Sequence, residues 1–190
     1  MRDENEMEEL ESVVERMQQG DRAAYEVLLD RFQPSVFRLA HRVTGSREDA
    51  WDVVQEVFLC VHRRREELRE ASRFRPWLYR MAYCQAVDVV RLRSGKRVDA
   101  WGDGEEAHAA APEAGPSARA ETNALADEMN RALSALPEKF REPLVLATHG
   151  KLSYEEIAGT VGCPVGTVRS RISAARQLLK ERLSAWLGND

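Results

Sequence analysis

Hydrogen-bonding side chains recur at helical spacing near the C-terminus of this 190-residue chain. They accompany an apolar stripe formed by Val165, Val168 and Ile172, which is expected to face the protein core. The polar set comprises Thr167, Arg169, Ser170, Ser173 and Arg176. Arginine can donate two hydrogen bonds to a guanine edge, and serine and threonine can contact bases or phosphates. A helix with an apolar back and these outward side chains is expected to read duplex DNA in the major groove.

The segment before that helix has the residues needed to position it. Ser153 and Glu156 have the spacing of a capping box, which predicts that a helix begins here. Gly162 suits the turn after this helix, and Pro164 suits the first turn of the next one. Residues 153–173 therefore predict a helix-turn-helix. An ordinary surface helical hairpin is the alternative.

A second cluster of charged residues lies on a helix predicted near residues 47–68. Apolar residues form a stripe along one side of this helix, namely Ala50, Val53, Val54, Val57, Phe58 and Val61. Polar residues gather on the opposite side, namely Asp49, Asp52, Gln55 and Glu56. Neighbouring carboxylates repel each other, so a face of one sign indicates a docking surface for a basic protein partner. The alternative is an acidic solvent face that the N-terminal helix dipole stabilises.

Aromatic and basic residues are interleaved in the segment 74–93. Tyr79 and Tyr83 share one side of the predicted helix, with Arg80 and Arg91 beside them. Unpaired bases can stack on aromatic rings while arginines meet the phosphates, so this pattern suits single-stranded DNA. The alternative is that the tyrosines belong to the core, as we expect for Trp77.

The net charge is −4, but the charges are segregated along the chain. Residues 73–97 carry seven basic side chains against one acidic, and residues 165–182 carry five against one. Acidic residues are concentrated in segments 1–15 and 99–122. Exposed charges farther apart than about 8–10 Å are largely screened by salt. The two basic segments can therefore attract DNA in two places despite the overall charge.

Signals for catalysis and for cofactors are missing from the sequence. We find no phosphate-binding glycine loop, no nucleophile elbow and no metal-spaced His/Cys cluster, so neither an enzyme nor a cofactor is expected. Cys60, Cys84 and Cys163 are odd in number and widely spaced, which favours reduced thiols. The chain has no apolar run long enough to span a bilayer and begins with acidic residues, unlike a signal peptide. We expect a cytoplasmic protein without membrane insertion.

The chain divides into two parts around residues 99–122, which are rich in Ala, Gly, Pro and acidic residues and predict a flexible linker. The expected domains are residues 8–98 and 123–188. No segment shows strand alternation, so the predicted fold class is all-α, with two small helical domains. Helices are predicted near residues 8–19, 21–43, 47–68, 75–93, 123–135, 138–148, 153–161 and 165–186.

Several of these motifs together resemble a known family. Residues 49–58, Asp-Ala-Trp-Asp-Val-Val-Gln-Glu-Val-Phe, are similar to region 2 of bacterial sigma factors, and Trp77-Leu78-Tyr79-Arg80-Met81-Ala82 resembles its continuation. Residues 136–138, 152–158 and 165–171 are similar to region 4. Because only these two regions are present, the chain resembles the extracytoplasmic-function (ECF) group of the sigma-70 family.

The resemblance implies a transcription initiation factor that binds core RNA polymerase and promoter DNA. Region 2 would dock on the clamp helices of the largest polymerase subunit through Asp49, Asp52, Gln55, Glu56 and Leu59. It would open the −10 element and hold single-stranded bases through Arg75, Tyr79, Arg80, Tyr83, Cys84 and Arg91. Cys84 stands where relatives often carry Asn, which leaves the captured base open. Region 4 would read the duplex −35 element, and an anti-sigma factor is a further implied partner.

Two other classes of protein remain as alternatives. A free-standing helix-turn-helix regulator that binds an operator would account for the C-terminal half alone. An interaction protein that sequesters polymerase would need only the N-terminal half. Neither alternative accounts for both halves.

Overall fold

A computed structural model describes the backbone of residues 2–93 and 128–187 and the side chains of residues 8–93 and 128–184. The described residues form α-helices and two short 3₁₀ turns, with no strand among them, which confirms the all-α prediction. The predicted linker at 99–122 lies outside the described residues. Helices on either side of that gap build two helical units.

The N-terminal unit contains four helices: α1 (Arg2–Gln18), α2 (Arg22–Thr44), α3 (Arg47–Arg64) and α4 (Phe74–Arg93). Helix α2 begins where the Asp21 carboxylate accepts hydrogen bonds from the Ala23 and Ala24 amides. It ends at Gly45, whose φ of 69° is a left-handed conformation that glycine adopts without strain. Buried side chains of all four helices then pack into one core, including Val14, Leu28, Leu39, Val57, Phe74 and Leu78.

Helix α3 ends at Arg64, four residues before the predicted end. A 3₁₀ turn follows at Arg65–Glu67, and the backbone is then extended at Leu68. The Gln18 amide of α1 donates to the carbonyl oxygens of Arg65 and Leu68. This distant side chain satisfies two carbonyl groups of the turn that follows the helix, and Leu68 is buried in the core.

The C-terminal unit contains α5 (described over 128–134), α6 (Glu138–Thr148), α7 (Tyr154–Val161) and α8 (Val165–Leu187). The capping box before α7 is confirmed: the Glu156 amide donates to Ser153 Oγ at 3.1 Å, and the Ser153 amide donates to Glu156 Oε2 at 2.7 Å. The chain then turns at Gly162, whose φ is 74°. Ile157, Val168 and Ile172 close the core between α7 and α8.

The two units pack against each other through α4, which contacts both α6 and α7. Gly150, in the loop between α6 and α7, is buried beside Tyr79, and a Cβ placed there would lie 3.3 Å from Tyr79 Cγ.

The three cysteines, Cys60, Cys84 and Cys163, are free thiols. Among the residues that the structure describes, no helix combines the length and apolar character required to cross a membrane.

Candidate DNA-binding and protein-docking surfaces

Helix α8 carries the predicted duplex-reading side chains on the side away from its core. Val168, Ile172 and Ala175 are fully buried against the rest of the unit. Four of the five predicted residues are exposed, namely Arg169, Ser170, Ser173 and Arg176. Thr167 is half-buried, and its carbonyl accepts a hydrogen bond from Ser170 Oγ at 2.9 Å. The structure thus brings the predicted set together on one accessible surface.

The two arginines of this surface are seven residues apart on one helix face. At 1.5 Å per residue they are separated by about 10 Å along the helix axis. One helix lying in the major groove could therefore present both arginines to DNA. Neither Arg169 nor Arg176 forms an ion pair with another described residue. Their guanidinium groups are therefore available for phosphates or guanine edges.

The polar face of α3 is only partly free. Asp52 and Gln55 are exposed, and Leu59 is 46% exposed beside them. Asp49 instead pairs with Arg93 at the end of α4. Glu56 lies 3.7 Å from Arg63 and accepts a contact from Cys60 Sγ at 3.6 Å. The accessible surface is thus a mixed acidic and apolar ridge.

Trp51 belongs to this ridge, although sequence reasoning did not assign it there. Its side chain is 39% exposed, and its ring packs on Phe37 with centroids 4.7 Å apart. Phe37 in turn stacks on His41 at 5.9 Å. The sequence contained a signal for this assignment, because Trp51 lies between Asp49 and Asp52 on a polar helix face. Exposed tryptophan is enriched at protein interfaces. We include Trp51 in the candidate surface that is called the docking ridge below and is defined as Trp51, Asp52, Gln55, Glu56 and Leu59.

The arginines predicted to hold the opened strand are all engaged by the C-terminal unit. Arg75 Nη2 donates to the carbonyl oxygens of Gly150 and Lys151 at 3.4 and 3.3 Å. Arg80 donates to the carbonyl of Thr160. Arg91 forms an ion pair with Glu138 at 2.6 Å.

The two tyrosines are buried, whereas the sequence pattern predicted that they form an exposed surface for base stacking. Tyr79 is 4% exposed, and its hydroxyl donates to Ser35 Oγ at 2.8 Å. Tyr83 is 1% exposed, and its hydroxyl accepts a hydrogen bond from Arg141 Nε at 3.3 Å. Both tyrosines are core residues in this conformation, which is the alternative that the sequence left open. Their role toward DNA stays a prediction.

The contact between α4 and α6 is partly shielded from water, with Cys84 and Glu142 half-buried and Glu138 exposed at its edge. Burial raises the pKa of the Cys84 thiol to about 11, with the Glu142 carboxylate adding to the effect. Burial also raises the pKa of Glu142 itself and of Tyr83. Charged forms of these groups are therefore disfavoured while the two units are in contact.

Models of known families match both units. A model of sigma-70 region 2 matches residues 28–98, and a model of sigma-70 region 4 matches residues 126–179. The first contains the docking ridge and α4, and the second contains the helix-turn-helix.

Curated relatives match the chain over nearly its whole length. The RNA polymerase sigma-H factor of Pseudomonas aeruginosa is 33% identical over 186 residues, covering 95% of this chain and 96% of the relative. The ECF RNA polymerase sigma-E factor of Escherichia coli K12 is 36% identical over 179 residues, covering 90% of this chain and 92% of the relative.

Solved structures share the fold. CnrH, solved in complex with the cytosolic domain of CnrY, superposes with a TM-score of 0.71 at 22% identity, covering 93% of this chain and 97% of CnrH, and supports the fold alone. The sigma factor RpoE of Bartonella quintana, solved with the anti-sigma factor NepR, has a TM-score of 0.60 at 25% identity, covering 84% of this chain and 96% of RpoE.

The burial of Tyr83 gives a direct stability test. Tyr83→Ala is expected to lower the free energy of unfolding by about 3–5 kcal/mol, because it removes a fully buried aromatic ring. Tyr83→Phe keeps the ring and loses one hydrogen bond, so about 1 kcal/mol is expected. Urea unfolding followed by circular dichroism measures both variants. An effect of Tyr83→Ala below about 0.5 kcal/mol, typical of surface positions, would contradict the buried placement.

Proposed function

Because this chain belongs to the sigma-70 family, within its extracytoplasmic-function group, we propose which of its surfaces performs each step of promoter recognition. The protein is a transcription initiation factor that directs core RNA polymerase to specific promoters. The observation that carries this conclusion is the presence of both sigma regions, in order, on one chain. A free-standing regulator would leave the region 2 match unexplained.

The proposed division of labour follows the two units. The N-terminal domain (residues 8–98) binds core polymerase through the docking ridge and Asp49, and opens the −10 element along α4. The C-terminal domain (residues 123–188) reads the −35 element as duplex through the outward side of α8. Residues 99–122 connect the two. The chain contributes binding rather than catalysis, as expected from relatives that are named sigma factors.

The segregation of charge supports this arrangement. The exposed arginines of α8 suit phosphates and guanine edges, whereas Asp52 and Glu56 would repel DNA and suit a basic protein surface. We propose that the protein acts in the cytoplasm with its polymerase. An anti-sigma factor is a further proposed partner, since the similar RpoE of Bartonella quintana was solved with one.

Run-off transcription tests the proposal directly. Core polymerase with this protein is expected to initiate from a cognate promoter, whereas core polymerase alone does not. Free protein is expected to bind duplex promoter DNA weakly, because two separate DNA sites on one chain are poorly preorganised. Tight operator binding by the free protein, with no gain on adding core polymerase, would instead favour the regulator.

The docking ridge gives a second prediction. Asp52→Lys with Glu56→Lys is expected to weaken core polymerase binding by about tenfold or more, because both reversals place like charges against a basic partner. Thermal stability should change little, since both side chains are at least partly exposed. Competition against labelled sigma for core enzyme measures the affinity.

The matched control for the docking ridge is Glu8→Lys with Glu15→Lys. Both glutamates are exposed on α1, outside the region 2 match, and the change in net charge is the same. Equal losses of affinity in the two double variants would show that net charge, and not the ridge, governs binding.

The two DNA contacts can be separated by single arginine variants. Arg169→Ala is expected to weaken duplex −35 recognition by about 5- to 150-fold, corresponding to the 1–3 kcal/mol of a good base contact. Transcription from a template already opened at the −10 element should persist. Footprinting follows upstream binding, and permanganate reactivity of unpaired thymines follows opening.

Arg80→Ala is the counterpart for strand opening, chosen because Tyr83→Ala would disrupt folding. Upstream binding should persist while permanganate reactivity falls. Arg182→Ala is the control for Arg169→Ala, since Arg182 is exposed on the same helix α8 but lies on the side away from Arg169. If Arg169→Ala and Arg80→Ala lose both signals equally, the division between the two domains is wrong.

A further inference from the structure

Positive charge surrounds the loop between α6 and α7, which covers residues 149–153. Burial and the nearby guanidinium groups of Arg42 and Arg38 lower the pKa of the His149 imidazole in this loop. The two arginines are one turn apart on α2, about 6 Å along the helix axis, so both can act on the same loop. They make the electrostatic potential at the loop positive.

The same loop meets a third arginine and carries a lysine. Arg75 Nη2 of α4 donates to the carbonyl oxygens of Gly150 and Lys151 at 3.4 and 3.3 Å. The Lys151 side chain is exposed at the edge of this contact. Four cationic side chains, contributed by both units, therefore gather at the loop and are called the loop cations: Arg38, Arg42, Arg75 and Lys151.

The loop cations have no partner of opposite charge. Among the residues that the structure describes, none of the four forms an ion pair. Arg42 donates instead to the neutral Asn130 side chain at 3.1 Å. Other arginines, such as Arg64 and Arg73, pair with glutamates three residues away. A local excess of positive charge repels itself and attracts anions, so this surface is suited to an anionic ligand.

The backbone of the loop is held in one conformation. A Cβ on Gly150 would lie 2.6 Å from the Leu146 carbonyl oxygen, so only glycine allows the loop to pack this closely. Lys151 has a φ of 51°, in the left-handed region that residues with a side chain rarely adopt. Such conformations persist where the surrounding structure enforces them, and they concentrate at functional sites. The loop is thus a preorganised base for a binding site.

We propose that the loop cations form a binding site for a linear oligophosphate, a free anion that carries three or four negative charges. The triphosphate of a nucleotide and short inorganic polyphosphate share this chemistry. Arginine donates paired hydrogen bonds to phosphate oxygens, and lysine adds a mobile point charge. Four cations around one loop match the charge of such a ligand.

The surrounding charges favour a short anion over a nucleic-acid strand. Asp30 is exposed on α2 eight residues before Arg38, and Glu155 is exposed on α7 four residues after Lys151. A strand that continued along either helix would meet a carboxylate, which repels phosphate. An anion about three phosphates long can contact the loop cations without reaching these carboxylates.

The site has an effect on the contact between the two units, because both units contribute to it. Arg38 and Arg42 belong to the N-terminal unit and Lys151 to the C-terminal unit. A ligand that contacts both sides stabilises the arrangement in which they touch. The stability of that contact therefore depends on the concentration of the anion.

Isothermal titration calorimetry of the full-length protein with sodium tripolyphosphate, at fixed pH and ionic strength in metal-free buffer, tests the site. Arg38→Gln and Lys151→Gln each remove one exposed cation, from opposite units. Each is expected to weaken tripolyphosphate binding about three- to ten-fold, because each loses a charge-assisted contact at a partly hydrated site. The matched control is Arg69→Gln, which removes the same charge from an exposed arginine in the turns before α4 and should change affinity less than about two-fold.

Proton NMR places the bound anion on the protein. The His149 ring resonance, assigned by its loss in His149→Gln, is expected to shift on titration because the anion neutralises the arginines beside the ring. His62 on α3, whose ring packs on Tyr25 with centroids 5.5 Å apart, is the reference and should not shift. This readout uses the wild-type protein, so it decides the question even if a glutamine variant fails to fold. An unshifted His149 at saturating tripolyphosphate would overturn the proposal.

The variants and competing ligands supply the other contrary outcomes. Equal affinities of the two site variants and Arg69→Gln would overturn the site, and a loss in only one site variant would overturn its sharing between the units. Orthophosphate that binds as tightly as tripolyphosphate would show a site for a single anion instead. A short DNA duplex or single strand that binds more tightly than tripolyphosphate, with the same dependence on Arg38 and Lys151, would replace the oligophosphate by nucleic acid.

A parallel titration with a nucleoside triphosphate distinguishes the two sources of the ligand. Equal affinity for the nucleotide and for tripolyphosphate supports recognition of the phosphate chain alone. Tighter binding of the nucleotide supports an additional contact to the base or sugar. These titrations contain no polymerase, so their outcome is independent of the run-off assay that tests the proposed function.

Discussion

Helix α4 has to bury apolar side chains on one side while it carries arginines on the other, and both domains depend on how it does so. Phe74, Leu78 and Ala82 are fully buried. The arginines cannot enter that core without partners, because an unpaired buried charge is costly. They instead meet carbonyl oxygens and a carboxylate from the C-terminal domain. One helix thus joins the hydrophobic core to a polar contact between domains.

The helix-turn-helix was predictable because its determinants are local in sequence. Ser153 and Glu156 cap each other across one turn, and Gly162 supplies the left-handed turn residue. The apolar spacing of Val168 and Ile172 fixes which side of α8 faces inward. Once these are known, the exposure of Arg169 and Arg176 follows from helix geometry. No long-range contact is needed for that conclusion.

The deviations from the sequence-based expectations come from partners that are distant in the chain. The turn that follows α3 is held by Gln18, which lies 47 residues before Arg65 and donates to the carbonyls of Arg65 and Leu68. Tyr83 is buried with Arg141, which lies 58 residues later. The periodicity of α4 places the tyrosines on a second face but cannot say whether another domain covers it. For the same reason, the sequence pattern did not reveal that Asp49 pairs with Arg93, which is 44 residues away.

The exposed and the covered surfaces differ in the kind of target that is proposed for them. The surfaces proposed to recognise rigid targets, the polymerase and duplex DNA, are exposed at Asp52 and Gln55 on α3 and at Arg169 and Arg176 on α8. The surface assigned to single-stranded DNA is the covered one, and its target exists only after the duplex opens. A permanently exposed set of arginines and aromatic rings would bind any single strand or RNA, because stacking and phosphate contacts carry little sequence information. In the structure described here, internal carbonyls and a carboxylate of the C-terminal domain occupy these arginines.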